Sequence, residues 1–220
     1  MKLIAQTVLG LAFFIAVLFW PAGTFDYWQA WVFLAVFIAT TILPSIYLAV
    51  RHPDALARRM KAGPTAETRP AQRIIMTLTV TLVVATFVLS ALDHRFGWSQ
   101  VPVWLVITGN VLVAAGLGVA QLVVVQNNYA AATIRVEAGQ PLVSTGLYGL
   151  VRHPMYTGAA VMMVGTPLAL DSLWGLLGVA ASAPVIVARI RDEEQMLTEE
   201  LAGYPEYRTR VRYRLVPHLW

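Results

Sequence analysis

Four long apolar stretches constrain the fold of this chain more than any other feature of its sequence. They cover residues 3–20, 28–50, 74–92 and 102–126. Each is close to the roughly 17–25 residues that an α-helix needs to cross the hydrocarbon core of a bilayer. Composition agrees with transmembrane helices, because 58% of the 220 residues are hydrophobic and 13% are charged, against about 45–50% and about 25% in soluble domains. The first stretch follows Lys2 as a signal peptide would, but its apolar core is long and no small-residue cleavage pattern follows, which favours a retained helix.

Two shorter apolar runs follow, at residues 155–170 and 173–190, and only Asp171 and Ser172 separate them. This spacing predicts a tight helical hairpin. Both arms are at or below spanning length, so complete crossing and a tilted, partly buried or re-entrant arm remain open alternatives.

Beyond the hairpin the chain becomes charged and rich in aromatic residues. Met196, Leu197 and Leu201 lie at helical spacing with acidic residues between them, which predicts an amphipathic continuation of the helix that ends near Gly203. The predicted fold is therefore all-α. It is a polytopic transmembrane helical bundle of about six spans, with a cytoplasmic C-terminal amphipathic helix.

The distribution of basic residues along the chain predicts its orientation in the membrane. Of the 16 Lys and Arg residues, six lie in the 51–73 connection and six between residues 189 and 214. The positive-inside rule places both regions in the cytoplasm, and it explains the net charge of +4 better than nucleic-acid binding does. With six crossings both termini and residues 127–152 are cytoplasmic as well. The 51–73 connection contains three prolines and a glycine, and it is predicted to be an irregular loop.

Small residues in the apolar stretches predict positions where helices approach closely, as is common in lipid. These are Gly109, Ala114, Gly116, Gly118, Gly158 and Gly165.

The segment TGLYGLVRHPMYTG, residues 145–158, is the most informative motif. Arg152 and His153 directly precede Pro154, which opens an apolar run, so cationic side chains and unpaired backbone N–H groups meet at one helix start. Such a start is a place to hold an anion. The alternative is a topology signal or a lipid-headgroup contact. A second RHP at residues 51–53, with no tyrosine two residues after its proline, shows that the bare tripeptide is weak evidence.

A pair of acids follows the hairpin at Glu193 and Glu194. Arg189 and Glu193 are four residues apart and therefore share one helix face. An exposed salt-bridge cluster is the alternative explanation. A metal site is not expected, because the chain has no cysteine and its four histidines are scattered. An enclosure that gathers Tyr148, His153 and Tyr156 with Arg189 and Glu193 would offer aromatic surface, an anion site and a carboxylate together.

In their order and separation these motifs resemble those of the isoprenylcysteine carboxyl methyltransferase family, which is related to the phospholipid methyltransferases. The matching segments are QPLVSTGLYGLVRHPMYTG, DEEQML and YPEY, and the resemblance covers residues 128–217. It implies a catalytic region over residues 127–220, which follows the transmembrane helices predicted from the apolar stretches over residues 1–126. It also implies S-adenosylmethionine as methyl donor and S-adenosylhomocysteine as product. Gln140 stands where histidine is common in the family and Leu147 where proline is common, which affects the donor contacts of that loop.

The resemblance also implies roles for individual residues. Arg189 is associated with the carboxylate of the acceptor. The residues that match donor contacts are Gln140, Pro141, Leu142, Val143, Tyr148, His153, Pro154, Met155, Tyr156 and Glu193.

The acceptor is not specified by the residues themselves. By resemblance it is a prenylated cysteine carboxylate that enters from the bilayer, with the active site facing the cytoplasm. Three alternatives remain open: a phospholipid or other lipid N-methyltransferase, a sterol-reductase-like oxidoreductase, and a non-enzymatic protein that binds lipid. The expected partners are membrane lipids and a lipophilic or amphiphilic acceptor, without nucleic acid or metal. A carboxylate acceptor needs only orientation, whereas an amine needs a base, for which His153, Glu193 and Glu194 are the candidates.

Overall fold

The computed structural model describes residues 2–220, and the side chains of residues 9–220. Over these residues the chain contains helices and no strand, which confirms the all-α class. The helices are α1 (Lys2–Ala22), α2 (Trp28–Arg51), α3 (Pro53–Met60), α4 (Pro70–Phe96), α5 (Val103–Gln126), α6 (Pro154–Ala169), α7 (Gly175–Glu200) and α8 (Tyr204–Arg210), with 3-10 turns at Pro64–Ala66 and Gly146–Gly149.

Three of the helices, α2, α4 and α5, are long and apolar enough to cross a bilayer. They coincide with three of the four long stretches predicted from the sequence. Within α1, Leu9–Ala22 forms a shorter apolar helix; the predicted first span also includes residues 3–8, whose side chains lie outside the described part. The total of six spans and the cytoplasmic orientation stay predictions.

The second arm of the predicted hairpin and the amphipathic continuation form a single helix, α7, which ends at Glu200. Gly203, at a φ of +81°, then turns the chain into α8. The hairpin turn is fixed from both sides. Asp171 accepts hydrogen bonds from Gln29 and from the Val101 N–H, and Ser172 donates to the buried Asp93. These bonds fix the turn that reverses the chain, and the start of α6 lies near the end of α7, where Tyr156 contacts Glu193.

The connection between α2 and α4 differs from the predicted irregular loop, which was wrong for Pro53–Met60. Those residues form α3, because a proline suits the first helical position, where its missing N–H would be unpaired anyway. Asp54 lies in its first turn, while Arg58 and Arg59 lie in its last, as the helix dipole favours.

Helices α5 and α6 pack antiparallel with their backbones in contact. A Cβ on Gly158 would lie 2.6 Å from the Gly116 carbonyl oxygen, and one on Gly165 would lie 2.6 Å from that of Gly109. Only glycine permits this approach, which confirms the close contact predicted at these four positions. The same prediction was wrong for Gly118, which faces outward, so that a Cβ added there would meet no atom within 4 Å.

Candidate active site

The start of α6 forms the floor of the candidate site. Pro154 occupies the first helical turn and His153 is the N-cap residue, without a side-chain capping bond. The first bond within this helix runs from the Thr157 N–H to the His153 carbonyl, at 3.1 Å. The N–H groups of Met155 and Tyr156 therefore have no partner within the helix, and they lie at the positive end of the helix dipole.

Arg152 does not contribute an uncompensated positive charge to this helix start, in contrast to the expectation from the sequence. Its Nε donates to Glu194 Oε1 at 2.6 Å, and its Nη1 donates to the carbonyl oxygens of Val211 and Arg212. Glu194 also contacts His153 at 3.2 Å and accepts a bond from Arg214 at 2.9 Å. Burial alone raises the pKa of Glu194, but the hydrogen bonds from His153 and Arg152 outweigh burial and lower that pKa to about 2. This buried cluster fastens the C-terminal tail behind the site.

Glu193, the neighbouring acid, faces the other way. Tyr156 donates its hydroxyl hydrogen to Glu193 Oε2 at 2.7 Å, and the same hydroxyl oxygen accepts from Arg189 Nε at 3.0 Å. His153 Nδ1 lies 3.9 Å from Glu193. Tyr156 therefore connects the arginine and the carboxylate that the sequence placed on one face of α7. Glu193 remains partly accessible and can accept further hydrogen bonds.

Arg189 is buried, and most of its hydrogen-bonding capacity is used within the protein. Besides Tyr156, it donates to Gln72 Oε1 at 2.9 Å, to Glu67 Oε1 at 2.9 Å and to the Ala132 carbonyl at 3.0 Å. Glu67 is 1% exposed, and its second oxygen accepts from the Ile134 N–H. Arg189 thus ties the connection before α4 and the loop around residue 132 to α7.

The loop between α5 and α6 closes over the start of α6. Asn127 donates to the Tyr148 hydroxyl at 3.2 Å, and the Tyr207 hydroxyl donates to the Tyr148 carbonyl at 2.7 Å. Burial raises the pKa of Tyr148 to about 12, and the bond from Asn127 only partly opposes it. Tyr148 is consequently a neutral, fixed ring at physiological pH, held between the end of α5 and the C-terminal tail.

These elements enclose a cavity of about 190 Å³. It lies between the loop after α5, the first turn of α6 and the last turns of α7, and the rings of Tyr204 and Tyr207 close one side. All eleven residues that the sequence singled out line it, namely Gln140, Pro141, Leu142, Val143, Tyr148, His153, Pro154, Met155, Tyr156, Arg189 and Glu193. Their roles stay predictions, but the structure brings them together around one space.

Sequence reasoning missed several residues that build this site. Glu67 and Gln72 are buried partners of Arg189, and Arg59 and Tyr129 line the cavity. Glu67 and Arg59 lie in the connection that the sequence predicts to be an irregular loop, where charged residues are ordinarily solvated. The one available signal was an acid among basic residues that the sequence predicts to be cytoplasmic, which is unusual there and indicates a partner. Glu194, named as an alternative base, lies in the cluster with Arg152 and is not among the cavity-lining residues.

Comparison with known proteins shows what this region resembles. Residues 104–203, slightly less than half of the chain, match the phospholipid methyltransferase family. The matched residues include the loop, the hairpin and the acid pair that form the cavity, so the resemblance predicted from the motifs is confirmed.

The fold matches that of a eukaryotic intramembrane Ras methyltransferase, isoprenylcysteine carboxyl methyltransferase. The similarity covers 96% of this chain and 85% of that structure, with a TM-score of 0.52 and 17% sequence identity. At this identity the match establishes a shared fold, and it extends to α1–α4, which lie outside the family match.

A second relative is an oxidoreductase by name. The chain is 34% identical over 91 residues to a Delta(14)-sterol reductase of Mus musculus, which corresponds to 40% of this chain and 22% of the reductase. The chain therefore spans about a fifth of the length of that curated relative. The family match and the shared fold together support an integral membrane protein with a methyltransferase-like fold.

Proposed function

We propose that this protein is an integral membrane methyltransferase that transfers a methyl group from S-adenosylmethionine to an amphiphilic acceptor. The observation that supports the proposal best is the cavity itself. It combines the unpaired N–H groups at the α6 start, the accessible carboxylate of Glu193 and a set of aromatic rings. The acceptor class that the resemblance favours is an isoprenylcysteine-type carboxylate, and a lipid amine is the alternative.

The residues present suit the donor chemically. The N–H groups of Met155 and Tyr156 are placed to hold its carboxylate. Glu193 is placed to accept hydrogen bonds from its ribose hydroxyls or its ammonium group. Tyr148 offers a ring face to adenine or to the sulfonium, and Gln140 to Val143 line the same space from the loop.

When bound, S-adenosylmethionine supplies an electrophilic methyl group: an acceptor lone pair forms the new bond while the carbon–sulfur bond breaks and its electron pair stays on sulfur, releasing S-adenosylhomocysteine. The protein contributes alignment in an enclosed space, which is the main source of acceleration for such a displacement. A carboxylate acceptor needs no base. An amine acceptor loses a proton, for which Glu193 and His153 are the cavity-lining candidates.

Arg189 keeps its proposed link to the acceptor, with a condition that the structure adds. Its guanidinium is already bonded to Glu67, Gln72 and the Ala132 carbonyl. A carboxylate that binds Arg189 must therefore use its remaining N–H or replace Glu67. Arg189 also fixes Tyr156 through Nε, so its substitution is expected to disturb the orientation of Glu193 even when the acceptor is absent.

Calorimetry on the detergent-purified protein tests donor binding. Wild-type protein is expected to bind S-adenosylhomocysteine, and Glu193→Gln to bind it about tenfold more weakly, because a charge-assisted hydrogen bond is lost. Glu200→Gln is the matched control, since Glu200 is exposed on the same helix. Equal affinity in all three proteins would leave Glu193 without a donor role, and absence of binding in the wild type would refute the methyltransferase proposal.

A membrane reductase is a second candidate, favoured by the 91 residues shared with the sterol reductase. The same calorimetric experiment with NADPH separates the two. Heat from NADPH and none from S-adenosylhomocysteine would support a reductase in place of a methyltransferase.

We further propose that the cavity opens to the cytoplasm. The absence of cysteine from the sequence allows a clean test. Ala138→Cys in the exposed loop beside the cavity is expected to react with a membrane-impermeant maleimide in inverted vesicles only. Trp98→Cys, in the exposed turn between α4 and α5, is expected to react only in right-side-out cells. The reverse pattern would overturn the orientation.

A further inference from the structure

Four arginines line the cavity, and three of them form ion pairs with carboxylates of the protein, two of which are shared with a second arginine. Arg135 lies 2.8 Å from Glu137, Arg152 lies 2.6 Å from Glu194, and Arg189 lies 2.9 Å from Glu67. The fourth is Arg59, in the last turn of α3. Among the side chains of residues 9–220, no carboxylate lies within ion-pairing distance of Arg59, whose Nη1 donates only to Met155 Sδ, at 3.3 Å.

Arg58, the neighbouring arginine, shows that the position of α3 leaves Arg59 without an ion pair. Arg58 pairs with Glu137 at 3.0 Å and stacks over the ring of Tyr129. It therefore holds α3 against the loop that covers the cavity. Arg59, one residue later, is turned away from this contact and lines the cavity instead. The fixed position of α3 thus presents the Arg59 guanidinium to whatever molecule occupies the space.

An arginine in this position is suited to an anion. Burial lowers the pKa of Arg59, since the charged form loses water, although a guanidinium stays protonated at any physiological pH. A partly buried cation without a carboxylate is unfavourable until an anion pairs with it. The planar guanidinium binds carboxylate and phosphate groups through two parallel hydrogen bonds, which makes it the common choice for both.

The position of α3 relates this anion to the membrane. Ala55 and Leu56 of α3 pack with Leu48 of α2 and Val124 of α5, next to Met155. These residues lie at the ends of α2 and α5 that lead towards the cavity. The last turns of α2 before α3 expose Ile46, Tyr47 and Val50 on the outer surface. A molecule whose tail lies along this apolar surface can bring a polar head to Arg59.

We propose that Arg59 is the main cation that binds the anionic group, carboxylate or phosphate, of an amphiphilic acceptor, to which Arg189 can add only its one remaining N–H. The proposal rests on the proposed methyltransferase function and makes it more specific. Donor-binding groups lie on α6, α7 and the loop after α5, whereas the acceptor cation is provided by α3. A carboxylate head is the methylated group itself or its neighbour, and a phosphate head belongs to a phospholipid whose amine is methylated.

Two pairs of probes test the proposal in uncharged detergent, and in each pair only the first member carries an anionic group. The first pair is N-acetyl-S-farnesyl-L-cysteine and its carboxamide, and the second is lysophosphatidylethanolamine and a monoacylglycerol with the same chain. Binding is measured by thermophoresis for the wild type, Arg59→Met and Arg59→Lys. Lys61→Met is the matched control, because Lys61 is an exposed cation two residues further on. Calorimetry with S-adenosylhomocysteine reports on the donor site and on folding.

In one of the two pairs the wild type is expected to bind the probe with the carboxylate or phosphate about tenfold more tightly than the partner that lacks it, as for one charge-assisted pair. Arg59→Met should abolish this preference, Arg59→Lys should retain part of it, and Lys61→Met should leave it unchanged. Affinity for S-adenosylhomocysteine should stay the same in all four proteins. The pair of probes that shows the preference distinguishes a carboxylate from a phospholipid acceptor.

Three results would overturn the proposal. The first is equal wild-type affinity for the charged and uncharged member of both pairs. The second is a preference that survives in Arg59→Met. The third is loss of S-adenosylhomocysteine binding in Arg59→Met with the probe preference intact, which would assign Arg59 to the donor. Failure of the wild type to bind S-adenosylhomocysteine would instead count against the methyltransferase function, while the probes would still decide the role of Arg59.

Discussion

The chain contains the tripeptide RHP twice, and the two copies have the same local structure in different surroundings. Pro53 begins α3 and Pro154 begins α6, each with a histidine as N-cap. The φ and ψ angles of His52 are −141° and 58°, and those of His153 are −126° and 62°. The tripeptide therefore specifies a helix start in both places, as expected for proline at the first helical position.

The two copies differ in what other helices bring to them. Arg51 is exposed and has no ion pair among the described side chains, whereas Arg152 is buried against Glu194. Glu194 lies on α7 and also contacts His153 and Arg214. The lesson is that the motif provides a helix start, while the acid from a distant helix converts one copy into part of a site.

The largest expected effect comes from removing that acid. Glu194→Gln leaves the buried Arg152 and the partly exposed Arg214 without their charge partner. Breaking a buried pair such as that of Arg152 costs about 3–5 kcal/mol of unfolding free energy. Thermal unfolding in detergent should show a clear loss of stability. Arg51→Met at the other copy should change stability by less than about 0.5 kcal/mol, since Arg51 is exposed. Similar effects at both positions would break the comparison.

The lowered pKa of Glu194 predicts how the free energy of unfolding depends on pH. Because the pKa of Glu194 is lowered in the folded protein to about 2, from an ordinary value of 4.5, its contribution is complete above pH 4.5. It is lost as the pH falls from there towards 2. The difference in unfolding free energy between wild type and Glu194→Gln should therefore be constant near neutrality and shrink below about pH 4.5. A difference that grows in acid would contradict this assignment.

The helices that follow the two prolines also differ in how closely they pack against a neighbouring helix. Gly158, four residues after Pro154, contacts the backbone of α5, whereas Ala57, four residues after Pro53, is exposed. Gly158→Ala should destabilise the protein by about 1–3 kcal/mol through overpacking. Ala57→Val is the control and should have little effect. Comparable unfolding temperatures for both variants would show that the α5 and α6 backbones are less close than described.

The smallest of these effects concerns the tyrosine that only the second copy has. Tyr156→Phe removes the hydroxyl between Arg189 and Glu193. We expect about tenfold weaker binding of S-adenosylhomocysteine, equivalent to one hydrogen bond of about 1.4 kcal/mol, with little change in stability. Tyr47→Phe, at an exposed tyrosine near the first copy, should leave binding unchanged. Full affinity in Tyr156→Phe would mean that the hydroxyl does not position Glu193.

Much of the fold could be predicted because transmembrane segments and helix starts are local properties. Apolar runs of sufficient length gave α2, α4 and α5, and the two-residue separation at Asp171 gave the hairpin. Helix α3 was missed, since eight amphipathic residues among prolines carry little signal. Gly118 was misassigned, because composition does not reveal which face of a helix meets a neighbour.

Only part of the candidate site could be predicted from the sequence, for the same reason. Residues that lie close together in sequence, such as His153 and Tyr156, could be named from the motif, and all of the named residues line one cavity. Glu67, Gln72 and Arg59 could not be named, because each acts on residues about 95 to 120 positions away. No periodicity or spacing rule relates positions so far apart.

The sequence by itself determined that this chain is apolar enough to span a membrane, that a helix begins at Pro154, and that its C-terminal half resembles membrane methyltransferases. Only the tertiary structure decided which charges are neutralised: Arg152 and Arg189 are paired, while Arg59 is presented to the cavity. The physical reason is that charge pairing depends on distances between side chains of different helices, and those distances are set by packing rather than by position along the chain.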